Sequence, residues 1–398
     1  MLRFERVIGG ELPLSPDIAA LWLEAEARDE AAIEALCGIY GGGADSAWWV
    51  RYGRSALGLA LDLCGVGEDV PIGIPPYLCS VVLDKVLSRS ANWHTYPLDD
   101  HLVPDQLALL EQGRVSRAIV TCVYFGSALI EQRLSESAEA LWSLPGRPWI
   151  IEDRVMCFPD PCSVPLREGR CDFIIISFRK HYPVPDGALL IACSDRARQR
   201  MAELKDNYYS SGEGEQDGAV LEKVLAKVRR HEWLSSHPIV DDPALNGRNE
   251  SIASEHVLDA FAAAPASDSL PGTSASARYL LGRSLMQDAC SVKLRCQDII
   301  DGLRAAGISE SVLRLNDCSG IGVPLLVNGR EKLKESMAAK GIFLPVHWPV
   351  GEISRVCSSA RDWYAKEITI PVMPGESQDN VSFLIKAVAK GCAEQGAG

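Results

Sequence analysis

From about residue 50 to residue 195, short apolar runs rich in β-branched residues alternate with longer amphipathic runs. This alternation is typical of parallel strands joined by crossover helices. Several of the short runs are apolar on both alternating faces, which predicts a sheet covered by helices on both sides. The predicted strands are 69–74, 92–97, 117–124, 148–153, 172–177 and 187–193, and the predicted helices include 55–64, 80–88 and 135–144.

The pattern changes after the last of these strands. Residues 205–275 are richer in charged residues and in Gly, Ser, Asp and Pro, which predicts loops around connecting helices and a domain junction. A mixed pattern follows, which predicts a smaller α+β domain with helices at 276–306, 330–341 and 377–394 and strands at 322–328 and 342–348. We therefore predict an N-terminal segment, 1–45, that packs with the small domain, a large domain, 46–255, and a small C-terminal domain, 256–398.

Composition and charge narrow the classes of function. The chain has 398 residues, of which 47% are hydrophobic and 23% charged, as in an ordinary globular protein. A net charge of -13 without clustered Lys and Arg argues against binding to nucleic acid or to anionic lipid. No stretch has the pattern of a secretion signal or the length of a membrane span. We therefore expect a cytoplasmic protein.

The cysteines and histidines do not form a recognisable metal motif. The 13 cysteines lie scattered through apolar segments without a C-x-x-C pair, and the 7 histidines are dispersed. Scattered cysteines of this kind are typical of buried thiols in a reducing compartment. No metal site is predicted.

Lys180 is the first candidate for chemistry. It follows the predicted buried strand 172–177 and precedes a Pro/Gly turn. Ligands of α/β sheets gather at the carboxyl ends of the strands. A desolvated lysine in such a place becomes a competent amine nucleophile toward an aldehyde. A lysine in a loop is, however, more often simply exposed to solvent.

Two further segments end or begin elements at the same predicted edge. Glu152 and Asp153 close the strand 148–153, and a buried acid is what keeps the ring nitrogen of pyridoxal 5'-phosphate (PLP) protonated. Gly53 and Ser55 begin an apolar helix, whose N-terminus suits a phosphate group, and the hydroxyl of Ser177 is a further donor. Each segment taken alone is also compatible with an ordinary helix cap or a surface pair.

The order and spacing of these segments resemble the DegT/DnrJ/StrS-like aminotransferases, a family of PLP enzymes that mostly act on nucleotide-linked keto sugars. The similar motifs are G-R-S-A-L (53–57), I-P-P-Y (74–77), V-Y-F-G (123–126), I-E-D (151–153), S-F-R-K (177–180), P-V-P-D-G-A (183–188), R-E-K-L-K-x-x-M-A-A-K-G-I (330–342) and V-H-W-P (346–349). The resemblance thus covers most of the chain. It implies an α/β fold of type I, with a mostly parallel seven-stranded sheet covered by helices and a smaller α+β domain.

The resemblance also implies roles for individual residues. Lys180 would carry PLP as a Schiff base and shuttle a proton, and Asp153 would pair with the pyridine nitrogen. The phosphate would be held by Ser177 and by the turn of Gly53, Arg54 and Ser55. The family further implies a homodimer with shared active sites and a small-molecule substrate.

Two departures from the family pattern concern the cofactor ring. Cys79 stands where relatives place an aromatic residue over the ring, so that Tyr77 or Tyr124 is expected to stack there instead. Met156 stands where relatives often carry a His or Gln that bonds the phenolic oxygen.

Candidate residues for the substrate are less sharply defined. Arg54, Arg154, Arg179 and Arg361 are candidates for gripping a carboxylate or phosphate, although most arginines serve surface or structural ion pairs. His347 and Trp348 are candidates for lining the substrate entrance, with core or interface packing as the alternative.

Four readings of function remain open on the sequence. The first is an aminotransferase that takes the amino group of a donor such as glutamate and passes it to a keto substrate. The second is a PLP-dependent lyase, decarboxylase or carbon–carbon bond-forming enzyme on the same fold. The third is a dehydrogenase whose phosphate loop would be 39–43, although no strand, G-x-G-x-x-G and helix unit follows. The fourth is a protein of the same fold that only binds a ligand or partner.

Overall fold

The structure is a computed structural model of the full chain. It describes residues 8–9, 46–159, 169–182, 184–208, 217–237, 244–245, 248–249, 252, 289–348, 359–372 and 377–396. The proposed phosphate loop at 39–43 and most of the predicted junction therefore lie outside the described residues.

A seven-stranded sheet in the order β2-β8-β7-β6-β5-β3-β4 forms the centre of the larger part. Pairing is parallel from β7 through β6, β5 and β3 to β4, whereas β8 runs antiparallel to both β7 and β2. The predicted mostly parallel seven-stranded sheet is thus confirmed. Its strands are β2 (Ala47–Val50), β3 (Ile72–Ile74), β4 (Trp93–Thr95), β5 (Ala118–Cys122), β6 (Trp149–Asp153), β7 (Phe173–Ser177) and β8 (Ala188–Ala192).

Helices pack around this sheet and continue into the C-terminal part. The central strands β5 to β8 are buried at every position, as expected for a sheet with helices on both faces. The helices are α1 (Gly53–Leu63), α2 (Ser80–Leu87), α3 (Gln106–Val115), α4 (Ala128–Trp142), α5 (Asp195–Tyr208), α6 (Asp217–Ser236), α7 (Ala289–Ala305), α8 (Arg330–Ala338), α9 (Arg361–Lys366) and α10 (Gln378–Glu394).

The C-terminal part contains two small two-stranded sheets. β9 (Gly322–Leu326) pairs antiparallel with β11 (Glu367–Pro371), and β1 (Ile8–Gly9) pairs parallel with β10 (Ile342–Phe343). The residues that form β1 belong to the N-terminal segment 1–45. The boundaries of the predicted domains stay a prediction.

Contacts between α9 and the turn after β3 join the C-terminal part to the sheet. The hydroxyl of Tyr364 lies 3.0 Å from the carbonyl of Pro76 and 3.1 Å from that of Leu78, and it accepts the N–H of Leu78 at 3.0 Å. Because the hydroxyl is buried, these contacts fix where α9 stands relative to the carboxyl end of β3.

The predicted elements compare well with the observed ones in the middle of the chain. All six predicted strands between residues 69 and 193 are present, each shorter than predicted. The helix predicted at 135–144 begins earlier, at Ala128, because the side chain of Ser127 caps it by accepting the N–H of Ile130 at 3.3 Å. The strand predicted at 342–348 ends at Phe343.

Other elements were not named from the sequence, among them β1, β2, α5, α9 and β11. Of the helix predicted at 276–306, the structure describes 289–305. No helix in the described ranges combines the length and apolar character needed to cross a bilayer.

Candidate active site

Two adjacent parallel strands end side by side at the carboxyl edge of the sheet. Asp153 is the last residue of β6 and is in register with Ile175 of β7, whose own last residue is Ser177. A 3-10 turn, Phe178–Lys180, follows at once and carries Lys180. Because β8 then returns antiparallel to β7, the lysine lies in the turn between these two strands.

The amino terminus of α1 approaches the same edge closely. A Cβ atom on Gly53 would lie 3.0 Å from Cγ1 of Val155 and 3.7 Å from Cβ of Ser177. A side chain at this position would therefore separate the helix from the strand ends. The absence of one lets the first turn of α1 stand directly against β7.

This helix terminus has the properties of an anion site. Its N-cap residue, Tyr52, makes no side-chain capping hydrogen bond. Ser55 and Ser177 are buried residues, and their hydroxyls make no hydrogen bond to any described residue. Free N–H groups and the helix dipole at such a terminus favour a phosphate or carboxylate. Gly53 thus lies beside Ser177, with Ser55 in the same first turn of α1, and their role as a phosphate site stays a prediction.

The carboxylate of Asp153 is buried beside them. It accepts one hydrogen bond from the backbone N–H of Val155, at 2.9 Å. Burial raises the pKa of Asp153, while this hydrogen bond and the charge of Lys180 act in the opposite direction. Because the raising effect prevails, an added cation at this carboxylate would be favourable.

The peptide of Val155 joins the acid to the turn that carries the lysine. While its N–H binds Asp153, its carbonyl accepts the Nε2–H of His181 at 3.3 Å. Burial and then the neighbouring charge of Lys180 lower the pKa of His181 to about 3. The ring is therefore neutral at physiological pH, so that it serves as a hydrogen-bond donor without adding charge. His181 and Val155 are positioning residues that the sequence analysis missed.

Lys180 itself is half-buried, and its amine makes no hydrogen bond or ion pair with the described residues. Its charge is felt at Asp153 and also at Cys122, which is in register with Asp153 on β5. An amine that is held near a carboxylate, yet is not engaged by it, remains available for a ligand.

Glu152, the other half of the acidic pair, serves the scaffold. It projects to the opposite face of β6, where it binds Arg154 at 2.9 Å and Arg170 at 2.9 Å. Burial alone would raise the pKa of Glu152, but the two guanidinium groups outweigh it and hold that pKa below its usual value. Glu131 also binds both arginines, each at 3.1 Å. The network anchors the strand that ends in Asp153.

The aromatic candidates for the cofactor ring lie together and are buried. Tyr77 packs against Tyr124 at 5.6 Å between ring centroids and against Trp348 at 4.5 Å. The hydroxyl of Tyr124 donates to the carbonyl of Tyr77 at 2.6 Å, whereas the hydroxyl of Tyr77 has no partner in the described structure. Met156 is buried as well.

The arginine candidates have different surroundings. Arg154 is committed to the buried network with Glu131 and Glu152. Arg54 lies over the ring of Tyr52, 4.7 Å from its centroid, next to the anion site. Arg179 is half-buried and Arg361 exposed. Of the four, Arg54 lies in the first turn of α1, and the roles of all four stay predictions. Within the described ranges, no three His, Cys, Asp or Glu side chains come together as metal ligands would.

The raised pKa of Asp153 predicts a stability effect in the cofactor-free protein. The folded state holds the carboxyl proton more tightly than the unfolded chain, so that ionisation destabilises it as pH rises through the ordinary carboxyl range. An amide does not ionise, and its oxygen still accepts the N–H of Val155. We expect Asp153→Asn to melt at a higher temperature than the wild type at pH 7, with a smaller difference at pH 3. Calorimetry would measure both.

The control for this prediction is Asp69→Asn, which neutralises an exposed carboxyl group. It should change the melting temperature little at either pH. A lower melting temperature of Asp153→Asn at pH 7 would contradict the conclusion that the buried charge of Asp153 destabilises the folded protein.

Comparison with known proteins places this geometry in a known fold. The sequence matches no protein-family model and no curated protein. Three solved structures that resemble it are all aminotransferases. TlmJ from Streptoalloteichus hindustanus has a TM-score of 0.64 at 15% identity, over 98% of this chain and 100% of that chain. PseC from Helicobacter pylori, involved in the biosynthesis of pseudoaminic acid, has a TM-score of 0.63 at 14% identity, over 98% and 100%. A DegT DnrJ EryC1 StrS aminotransferase from Brucella abortus has a TM-score of 0.59 at 14% identity, over 94% of each chain. The chain therefore has the type I fold of these aminotransferases.

Proposed function

We propose that the protein is a PLP-dependent aminotransferase that moves an amino group from an amino acid donor, such as glutamate, to a keto substrate such as a nucleotide-linked keto sugar. The observation that carries the proposal is the meeting of Lys180, Asp153 and the uncapped terminus of α1 at one edge of the sheet. Structures of the same fold include the sugar aminotransferase CalS13 from Micromonospora echinospora.

The residues fit the three polar parts of PLP. The anion site of Gly53, Ser55 and Ser177 suits the phosphate, and Arg54 stands beside it. The buried carboxylate of Asp153 suits a protonated pyridine nitrogen, and Lys180 offers an amine with no other partner. When bound, PLP supplies an aldehyde and an electron-accepting ring.

The chain's own groups then carry out the remaining tasks. Asp153 keeps the proton on the pyridine nitrogen, because a buried carboxylate is stabilised by the positive charge it faces. Lys180 would act as the general base and acid that moves a proton at the substrate carbon bearing the amino group. Tyr77 and Tyr124 remain our candidates for the aromatic contact with the cofactor ring. Both are buried, and they follow β3 and β5, two strands that end at this edge of the sheet.

We further propose a homodimer with shared sites and a cytoplasmic location. Two-fold pairs are the commonest oligomers, and the family resemblance of the sequence implies such sharing. The described cysteines are free thiols, and all of them except the half-buried Cys79 are buried, which suits a reducing compartment.

An experiment can show whether PLP is bound covalently by Lys180 or by a second buried lysine, Lys223. Lys223 is also buried, with its Nζ 4.2 Å from the ring centroid of Tyr52, and its pKa is lowered to about 8 by burial and by Arg51. We expect borohydride reduction of the PLP-loaded protein, followed by peptide mapping, to place the pyridoxyl group on Lys180. The label should persist in Lys223→Met and disappear in Lys180→Met. A label on Lys223 would refute the assignment.

The type of reaction is tested by half-reactions. Adding glutamate alone should convert the absorbance of the bound cofactor to that of its amine form, and a nucleotide-linked keto sugar should then restore the original spectrum. Glutamate with Asp153→Asn should convert far more slowly, by about a hundredfold or more, because a neutral amide cannot hold the ring nitrogen protonated. If a broad set of donors is consumed without ever yielding the amine form, the enzyme is a lyase instead.

The close approach of α1 predicts an effect of Gly53→Ala on cofactor binding. The new Cβ would press on Val155 at 3.0 Å and move the helix terminus away from Ser177. We expect the affinity for PLP to fall about tenfold, or about 1.4 kcal/mol, in a fluorescence titration. Gly67→Ala is the matched control, since its Cβ would meet only Val70, at 3.9 Å. Equal affinities of the two variants would show that the helix terminus does not bind the phosphate.

A further inference from the structure

A short strap from the C-terminal part crosses the turns that follow β5 and β6. The strap, residues 319–321, directly precedes β9, and the carbonyl of Ile321 accepts the N–H of Val372, just past β11, at 3.4 Å. The strap is therefore anchored to the two-stranded sheet of β9 and β11. At its centre, Gly320 forms an antiparallel bridge with Cys157, which follows β6.

The first contact of the strap is with the turn that follows β5. The backbone N–H of Ser319 donates to the carbonyl of Phe125 at 3.1 Å, and its hydroxyl donates to the carbonyl of Gly126 at 2.8 Å. Phe125 and Gly126 both have a left-handed backbone, with φ of 54° and 66°. A phenylalanine rarely adopts this conformation, and such strain persists where the surrounding structure requires it. The strained turn thus presents both carbonyls to the strap.

The second contact of the strap is with residues 154–158, which follow β6 and which we call the acid loop. The N–H of Ile321 donates to the carbonyl of Met156 at 3.0 Å. In the opposite direction, the N–H of Phe158 donates to the carbonyl of Ser319 at 3.2 Å. The acid loop is therefore held to the C-terminal part by a pair of backbone hydrogen bonds.

Gly320 is the residue that permits this close approach. A Cβ atom there would overlap the carbonyl oxygen of Met156 and would lie 2.8 Å from the carbonyl carbon of Phe125. Both of these are backbone atoms, which cannot turn aside as the end of a flexible side chain can. A residue without a side chain is therefore required for the strap to lie against both turns at once.

The acid loop in turn contacts both residues of the catalytic pair, Asp153 and Lys180, or their immediate neighbours. Val155 binds the carboxylate of Asp153 through its N–H and the ring of His181 through its carbonyl. At the other end of the loop, Phe158 packs edge-on against the ring of His181, with 5.5 Å between the ring centroids. His181 directly follows Lys180 in the chain. The strap, the acid loop and the lysine turn thus form a continuous series of contacts.

We propose that the strap is a positioning element for the catalytic pair: by clamping the acid loop it sets the separation of Asp153 and Lys180, and it thereby couples PLP binding to the docking of the C-terminal part. The inference rests on the proposed function, because it assigns the strap a role in that site. Ser319, Gly320 and Phe158 are positioning residues, because each acts through the acid loop. By linkage, the factor that the docked strap adds to the affinity for PLP is also the factor by which bound PLP stabilises the docked strap.

The link from the strap to the lysine turn can be tested in the cofactor-free protein. Because burial and the charge of Lys180 lower the pKa of His181 to about 3, its ring should not titrate between pH 5 and pH 8 in the wild type. NMR spectra of protein with ¹³C-labelled histidine would show this, with the signal assigned by its loss in His181→Gln. Gly320→Ala should loosen the acid loop, admit water to the ring and bring its titration into that range, since burial is the larger cause. Gly67→Ala, whose Cβ would meet Val70 at an ordinary 3.9 Å, is the matched control and should leave His181 silent.

The coupling to the cofactor can be measured in both directions. In a fluorescence titration, Gly320→Ala should bind PLP about tenfold more weakly than Gly67→Ala. In the wild type, loading with PLP should slow hydrogen exchange at the amides of Ser319 and Ile321 by a similar factor, about tenfold. Exchange in β4, at the far edge of the large sheet, should not change.

Two milder variants keep the test decisive if Gly320→Ala does not fold. Ser319→Ala removes the hydroxyl bond to Gly126, and Phe158→Leu removes the ring contact with His181, while both leave the backbone bonds of the strap in place. Each should weaken PLP binding by about threefold and shift the titration of His181 in the same direction.

The outcomes separate the strap from the proposed function. If the folded variants melt at a lower temperature but keep the wild-type affinity for PLP and a silent His181, the strap is structural only and the proposal is overturned. A wild type that binds no PLP would refute the proposed function and the coupling to PLP. In that case a titrating His181 in Gly320→Ala would still support the link between the strap and the lysine turn.

Discussion

The candidate site depends on how closely the terminus of α1 approaches the ends of β6 and β7. Val155 is the point of contact, because its side chain meets Gly53 while its peptide binds Asp153 and His181. One residue therefore sets three distances: from the anion site to the acid, from the acid to the lysine turn, and from the lysine turn to the anion site. Any ligand that contacts the anion site, Asp153 and Lys180 at once must fit these three distances.

Glu152 and Asp153 are neighbouring buried carboxylates of β6, and their different partners give them different functions. Glu152 faces Arg154 and Arg170, and these charges keep its pKa low and its carboxylate engaged. Asp153, on the other face, receives a single backbone hydrogen bond, and its pKa is raised. The first carboxylate stabilises the scaffold with its charge, and the second has no guanidinium group bound to it in the described structure.

The sequence predicted the structural elements that depend on the residue pattern of one short segment. The buried strands of the sheet, the glycine at the start of α1 and the lysine after β7 follow from periodicity and from the resemblance to a family. The strand β2 was missed because Ala47–Val50 is an apolar run of only four residues, and its place is set by antiparallel pairing with β8. The roles of Val155 and His181 could not be predicted, because each depends on a hydrogen bond that involves a backbone group of Val155.

Several groups at the meeting of the two parts of the chain are left unsatisfied by the fold. The amine of Lys180, the hydroxyls of Ser55, Ser177 and Tyr77, and Nε2 of His347 make no hydrogen bond with described residues. Among these groups the hydroxyl of Tyr77 is fully buried, and a buried polar group without a partner costs stability, so folding alone does not explain its retention. They lie on both sides of the carboxyl edge: amine, acid and anion site on the large sheet, and histidine and tyrosine toward β11 and α9. Under the proposed function, the phosphate-bearing cofactor would contact the groups on the large sheet, and the substrate would approach from the side of the C-terminal groups.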